Sequence, residues 1–139
     1  VVQKDTLIGL AILDNVKGKS QPITFVVFFD PEGQVLNSHI VKYREPIGGE
    51  VSSKNWLRQF LGKTKESSFK IGKEIDGISG ATISVNAVTR GIHRGTIVVD
   101  YLLKPIEKLV IWNGFSIENS KKERQHLKRY MMGLVLLLR

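Results

Sequence analysis

The apolar residues of the first third of the chain predict β-strands. Residues 7–13 form an apolar run that Asp14 and Asn15 end, and its length favours a buried strand over a helix. Residues 23–29 and 35–43 are rich in β-branched and aromatic residues and flank a Pro-Glu-Gly turn, which predicts a β-hairpin. Because residues 23–29 are apolar at nearly every position, we expect this strand to be covered on both faces.

The next apolar segment has helical spacing. Residues 52–61 carry large apolar side chains one, three and four positions apart, with Ser53 as the N-cap and Gly62 as the stop. This pattern predicts a short amphipathic helix that places Trp56 and Phe60 in the core.

A second helical repeat begins at Ala81, where apolar residues recur at 81, 85, 88 and 92. We expect Ser79 to be the N-cap of this helix. The β-branched residues of 96–103 predict a further strand, and 109–115 predict another. Together these elements predict an α+β fold, with a mixed or antiparallel sheet and packed helices.

Composition limits the chemistry that the chain can perform. Its 139 residues are 42% hydrophobic, which is typical of a single globular domain. It has no cysteine, so disulfides, thiolate chemistry and Cys-ligated metals are excluded. The three histidines, His39, His93 and His126, lack ligand-like spacing, and we predict no metal site. Any redox function must therefore use a bound cofactor.

The positive charge is concentrated near the C-terminus. Of the net charge of +8, residues 104–139 contribute eight Lys and Arg against three acids. We divide the chain into a domain of residues 1–118 and a tail of residues 119–139, in which residues 120–123 read as a capping box opening a helix. The last nine residues before Arg139 carry no charge, far fewer than the ~20 needed to span a bilayer.

The basic and then apolar tail predicts association with a membrane surface or with a partner subunit. The alternative is a helix packed on its own domain. The chain begins Val1-Val2 without a methionine, so we expect a preceding segment that could include a signal or anchor.

Residues 76–84, Asp-Gly-Ile-Ser-Gly-Ala-Thr-Ile-Ser, contain the strongest candidate for a binding site. Gly77 and Gly80 allow a tight turn directly before the predicted helix, and Gly80-Ala81 leaves little bulk in front of the backbone. A phosphate at this helix start would meet unpaired amides and the positive end of the helix dipole. The hydroxyls beside it would be those of Ser79, Thr82 and Ser84.

Residues 43–50 predict an irregular loop at the end of a strand. Pro46 and the paired Gly48 and Gly49 are incompatible with a regular helix or strand. Such a loop can fold over a ligand. The alternative is a plain connection between a strand and a helix.

Both segments resemble motifs of the FMN-binding domain family, which includes the flavin-bearing subunits of Rnf-type and sodium-translocating NADH:quinone oxidoreductase complexes. In this family a separate flavin transferase esterifies the threonine of Ser-Gly-Ala-Thr to the FMN phosphate, so the resemblance implies Thr82 as the covalent attachment point for FMN. The site residues that the resemblance assigns here are Asp76, Ser79, Gly80, Ala81, Thr82 and Ser84.

The loop is similar to the family signature His-x-Glu-Thr-Pro-Gly-x-Gly, which borders the isoalloxazine ring. The resemblance implies Glu45, Gly48 and Gly49 as ring-side residues. Tyr43 stands where histidine is usual, the threonine is missing, and Ile47 replaces the first glycine. The order of features agrees with the family from Gly9 to His93, which is well over half of the chain.

The resemblance implies an electron-transfer domain in a membrane-associated redox chain, which acts as a redox carrier and has no catalytic acid or base of its own. Its expected partners are other subunits of a membrane redox complex, the flavin transferase and, through the tail, a membrane surface. We expect an extracytoplasmic location because covalent flavin of this family is usually attached there.

Two other functions compete with this reading. A flavin-free interaction or sensory module would present residues 43–50 to a partner protein. A basic domain that binds a membrane surface or nucleic acid is the other alternative, and its support is the positive charge of the chain. The sequence has no helix-turn-helix, RNP-like strand or zinc-finger spacing, so we do not expect nucleic acid as a partner.

Overall fold

A computed structural model describes residues 2–3 and 6–112 of the chain. The described strands are β1 Val2–Gln3, β2 Thr6–Leu7, β3 Leu10–Lys17, β4 Pro22–Phe29 and β5 Val35–Lys42. The helices are α1 Lys54–Leu57, which a 3-10 turn Arg58–Phe60 follows, and α2 Thr82–Trp112; a further 3-10 turn covers Gly49–Ser52. The predicted α+β class is confirmed.

The sheet is antiparallel and is built from two successive hairpins. Its strand order is β3-β4-β5, and β1 and β2 form a separate antiparallel pair. The predicted hairpin of β4 and β5 is confirmed, and the Asp30 carboxylate closes its turn by accepting from the backbone N–H groups of Glu32 and Gln34. Two register shifts, at Thr24/Phe25 and Phe28/Phe29, interrupt the ladder between these strands.

The core lies between the sheet and α2. Alternate residues of β4 (Ile23, Phe25, Val27 and Phe29) are fully buried. Phe28 on the other face is 36% exposed, so the expectation that β4 is covered on both faces is wrong. Side chains of a strand alternate between its faces, and among the described elements α2 packs on one of those faces only.

The first strand, predicted over residues 7–13, is displaced towards the C-terminus and is more exposed than expected: Leu7 belongs to β2, and β3 begins at Leu10. β3 runs through Asp14 and Asn15, which were expected to end it. Asp14 pairs with Arg94 of α2 and Asn15 accepts a hydrogen bond from the Thr24 hydroxyl, so both polar residues are satisfied within the strand. Leu13 is 67% exposed because its side chain lies on the face of the sheet opposite α2.

The prediction of strands over residues 96–103 and 109–115 is wrong as far as residue 112, because α2 continues through Trp112. Residues 113–115 lie outside the described range. The buried residues Val85, Val88 and Ile92 are followed by Thr96 and Val99, which extends the same buried stripe at helical spacing. Tertiary packing of this stripe overrides the β propensity of Thr96-Ile97-Val98-Val99.

The predicted helix of residues 52–61 is divided into α1, Lys54–Leu57, and the 3-10 turn Arg58–Phe60, while its predicted cap, core residues and stop are confirmed. Ser53 is the N-cap of α1, since its hydroxyl accepts a hydrogen bond from Trp56 N. Trp56 and Phe60 are core residues, and Gly62 ends the segment with a positive φ of 72°. The Lys65 ammonium lies 2.8 Å from the Asp100 carboxylate and ties the following loop to α2.

The tail of residues 119–139, with its expected capping box and helix, lies outside the described residues. Within the part that the structure describes, no helix is both long enough and apolar enough to cross a membrane.

Candidate functional site

The segment before α2 is held in place by the α1 region. The Trp56 indole Nε1 donates to the Asp76 carbonyl at 2.8 Å, and Gln59 Oε1 accepts from Asp76 N at 2.7 Å. Ile75, immediately before Asp76, is fully buried. Two side chains and one buried anchor therefore position the backbone of Asp76, and its carboxylate is left at the exposed surface.

The helix begins later than the sequence predicts. α2 starts at Thr82, and its first hydrogen bond runs from Val85 N to the Ala81 carbonyl at 2.9 Å. Ala81, not Ser79, therefore occupies the N-cap position, and Ser79 lies exposed in the preceding turn. The positive φ of Gly80, 77°, turns the chain into the helix after the hydrogen bond from Ala81 N to the Ile78 carbonyl.

The helix start has the chemistry that an anion requires. The amides of residues 82–84 precede the first helical hydrogen bond, so they face outward from the end of a 31-residue helix. The side chain of Thr82 is exposed at this end. Ser84 is only 4% exposed, and its hydroxyl already contacts another side chain, so it is less available to a ligand than Thr82.

The loop of residues 43–50 packs directly against this helix start. Gly48 has a φ of 86°, and a Cβ at that position would lie 2.5 Å from the Ala81 Cβ. A side chain there would overlap Ala81, and the backbone conformation itself disfavours any residue but glycine. The two segments that resemble family motifs therefore meet at Gly48 and Ala81, although more than thirty residues separate them in the sequence.

A tyrosine joins the same two segments. The Tyr43 hydroxyl lies 3.0 Å from Ser84 Oγ on α2 and donates to the Ile47 carbonyl of the loop at 2.5 Å. A histidine is usual at this position of the family signature, and the resemblance does not assign Tyr43 to the site. The structure gives it a positioning role between loop and helix.

Exposed apolar side chains flank the helix start on both segments. Ile47 of the loop is 67% exposed and Ile83 of α2 is 49% exposed. Ile47 Cγ2 lies 3.9 Å from the position that a Cβ on Gly80 would take. Sequence reasoning missed both residues as site candidates, although isoleucine in place of a signature glycine was the signal for Ile47.

The other two loop residues predicted for the site are placed differently. The Glu45 carboxylate accepts from Ser20 N at 2.7 Å and from Gln21 N at 3.0 Å, so it closes the turn between β3 and β4. These hydrogen bonds, that from Gln21 first, lower the pKa of Glu45. A Cβ on Gly49 would meet no atom within 4 Å, so Gly49 borders open space.

The family is established by comparison with known proteins. The family model described as "FMN-binding domain" matches residues 18–96, which is more than half of the chain, and the chain belongs to this family. No curated protein matches it. The matched range includes both the loop and the start of α2, so the family membership covers the candidate site and supports FMN as the cofactor.

The residues present fit FMN. Outward amides and the exposed Thr82 hydroxyl suit its phosphate, while Ile47 and Ile83 offer apolar surface for a flavin ring. Of the residues predicted for the site, Gly48, Gly80, Ala81, Thr82 and Ser84 come together at the helix start. Asp76 and Ser79 lie in the turn before it, and Glu45 faces the β3–β4 turn. No group of three or more His, Cys, Asp or Glu side chains that could hold a metal occurs in the described part.

Removal of the Tyr43 hydroxyl should loosen the loop. We expect Tyr43→Phe to lower the free energy of unfolding by about 1–2 kcal/mol, because the Ile47 carbonyl and Ser84 hydroxyl lose their shared partner. Amide hydrogen exchange in residues 46–50 should become faster. The matched control is Tyr101→Phe, at a tyrosine that is 73% exposed. Equal exchange rates in the two variants would show that Tyr43 does not hold the loop.

A methyl group at Gly48 should separate the loop from α2. Gly48→Ala combines a left-handed backbone, which costs roughly 1–2 kcal/mol, with overlap against Ala81. We expect a lower denaturation midpoint and changed amide chemical shifts at residues 80–84. Gly49→Ala is the control, since the same methyl group there would enter open space. The packing argument fails if the two variants are equally stable.

The lowered pKa of Glu45 makes a pH-dependent prediction. Because the folded state favours the ionised carboxylate, its contribution to stability is present above the ordinary pKa of 4.5 and is lost as the pH falls through the folded value. Wild type should therefore be more stable than Glu45→Gln at about pH 7, and the difference should shrink towards about pH 3. Denaturant titrations at both pH values measure it, with Glu32→Gln in the other hairpin turn as the control. A difference that grows in acid would contradict the assignment.

Proposed function

We propose that this chain carries FMN as a phosphoester on Thr82 and transfers electrons through that flavin. The observation that carries the proposal is the contact of Gly48 with Ala81, which brings the loop against the helix start where Thr82 is exposed. A family match by itself supports flavin binding, and this contact supplies a reason for the attachment at Thr82.

The helix start supports Thr82 as the attachment point on electrostatic grounds. A phosphate bonded to the Thr82 hydroxyl would lie beside the outward amides of residues 82–84 and the positive end of α2. Such an arrangement stabilises an anion without a lysine or arginine in the motif. The exposure of Thr82 would also let a flavin transferase reach the hydroxyl, whereas Ser84 is buried and bonded to Tyr43.

The loop supports a role in shaping the surroundings of the ring. Ile47 and Ile83 would cover apolar ring surface, and Tyr43 would keep the loop that carries Ile47 in position. FMN itself supplies the redox chemistry when it is bound. The protein then has to anchor the phosphate, orient the ring and limit its contact with water, and none of these tasks needs a catalytic acid or base.

The proposed setting is a membrane-associated redox chain, with other subunits of a redox complex as electron donors and acceptors. It rests on the family resemblance, on the net charge of +8 and on the basic and apolar composition of residues 119–139. The extracytoplasmic location proposed for the domain rests on the family alone.

The test is the covalent modification of Thr82 in protein produced together with a flavin transferase. Wild type should show the intact mass of a flavinylated chain and flavin fluorescence on a denaturing gel, whereas Thr82→Val should show neither. Loss of a hydroxyl in the first turn costs at most about 1–2 kcal/mol, so the variant should stay folded.

Ser68→Ala is the matched control, because it removes an exposed hydroxyl outside the motif and should leave the modification intact. Covalent flavin on Thr82→Val would overturn the assignment of the attachment point. Wild type without any flavin, covalent or bound, would instead favour the flavin-free interaction module.

A further inference from the structure

A second concave site lies on the side of α1 that faces away from the flavin motif. It is a cavity of about 310 Å³ between β5 and the α1 region. Lys54, Leu57, Arg58 and Leu61 line one wall, and residues 37–39 line the other. The spacing of these four residues along α1 and the 3-10 turn after it places them on one side, whereas Trp56 and Gln59, which hold Asp76, lie on the other. The cavity is therefore separate from the proposed flavin site.

The wall formed by α1 is positively charged. Lys54 and Arg58 are four residues apart, so their side chains are neighbours, and like charges at this spacing destabilise a helix. Among the described residues, no acidic side chain lies within 4 Å of either cation as an ion pair. No Asp or Glu lines the cavity. An anion bound between the Lys54 and Arg58 side chains would neutralise their positive charges.

The other wall presents polar groups at the edge of the sheet. Ser38 is 3% exposed, and its hydroxyl has no hydrogen-bond partner in the part of the chain that the structure describes. The side chains of Asn37 and His39 lie on the opposite face of β5 from Ser38, with Asn37 Nδ2 and His39 Nε2 3.3 Å apart. An unpaired hydroxyl at this depth is uncommon in folded proteins, and Ser38 and Thr89 are the two such groups among the described residues.

Apolar surface completes the cavity. Leu57 is buried, and Leu61 is 46% exposed at the rim. The volume is at the small end of the ~300–1,000 Å³ typical of ligand sites. A bare inorganic ion would leave the leucine side of the cavity without contacts, whereas a small organic anion would use both surfaces.

We propose that this cavity binds a small organic anion, a carboxylate or a phosphate ester with a short apolar body, through the Lys54 and Arg58 side chains. Arg58 supplies a planar fork that can form two parallel hydrogen bonds with either head group, and Lys54 supplies a second positive charge. Leu57 and Leu61 contact the apolar part of the ligand.

The experiment is a titration of the isotope-labelled full chain followed by amide chemical shifts. The probes are butyrate and propyl phosphate, each added at constant ionic strength with chloride as the balancing anion. We expect saturable shifts confined to residues 37–39 and 54–61 for at least one probe. The probe that saturates at lower concentration identifies the preferred head group.

Arg58→Gln and Lys54→Gln should each weaken binding by at least about tenfold, as expected for loss of a charge-assisted hydrogen bond. Lys73→Gln is the control, since it removes the same charge from an exposed loop outside the cavity. Both Arg58→Gln and Lys54→Gln are tested, so that the proposal can still be judged if one of them misfolds. Shifts that stay linear in concentration, that chloride alone reproduces, or that are equal in Arg58→Gln and Lys73→Gln would overturn the proposal.

Discussion

The helix α2 approaches β4 so closely that its position on the sheet fixes where the other elements can lie. A Cβ on Gly91 would lie 2.7 Å from the Phe25 ring, and a Cβ on Gly95 would lie 3.2 Å from the Phe29 ring. Both rings are fully buried, so the helix can approach only where it has no side chain. This contact places α2 on the sheet. Its first residue, Thr82, lies nine positions before Gly91, which is about 13 Å along the helix axis at ~1.5 Å per residue.

With α2 fixed on the sheet, the position of the candidate site follows from what meets the helix start. Gly48 packs on Ala81, and Tyr43 joins the loop to Ser84, so the strand end at β5 and the start of α2 act as one unit. The α1 region fixes the segment that leads into α2, because Trp56 donates a hydrogen bond to the Asp76 carbonyl. A cofactor at Thr82 would therefore be supported from the sheet, the loop and the short helix, which is how a rigid scaffold limits the motion of a site.

The two faces of the α1 region have different tasks in this arrangement. One face holds the backbone of Asp76, and therefore the turn that leads to Thr82, through Trp56 and Gln59. The other presents Lys54 and Arg58 to the cavity beside β5. Because one short element forms both contacts, a ligand in the cavity would contact the same helix that positions the flavin motif. The two proposed sites nevertheless use different side chains, so each can be changed by substitution without the other.

Elements with local signals could be predicted from the amino-acid sequence. The hairpin of β4 and β5, the cap at Ser53, the buried stripe from Ala81 to Ile92 and the family of the chain could all be predicted, because turn residues, capping and spacing act over a few positions. The continuation of α2 through residues 96–103 depends instead on long-range packing. Their β-branched side chains suit a strand equally well, and the choice depends on which surface buries Thr96 and Val99. The contacts between Gly48 and Ala81, and between Glu45 and the β3–β4 turn, likewise join residues far apart in sequence, and no local pattern encodes a distance between such residues.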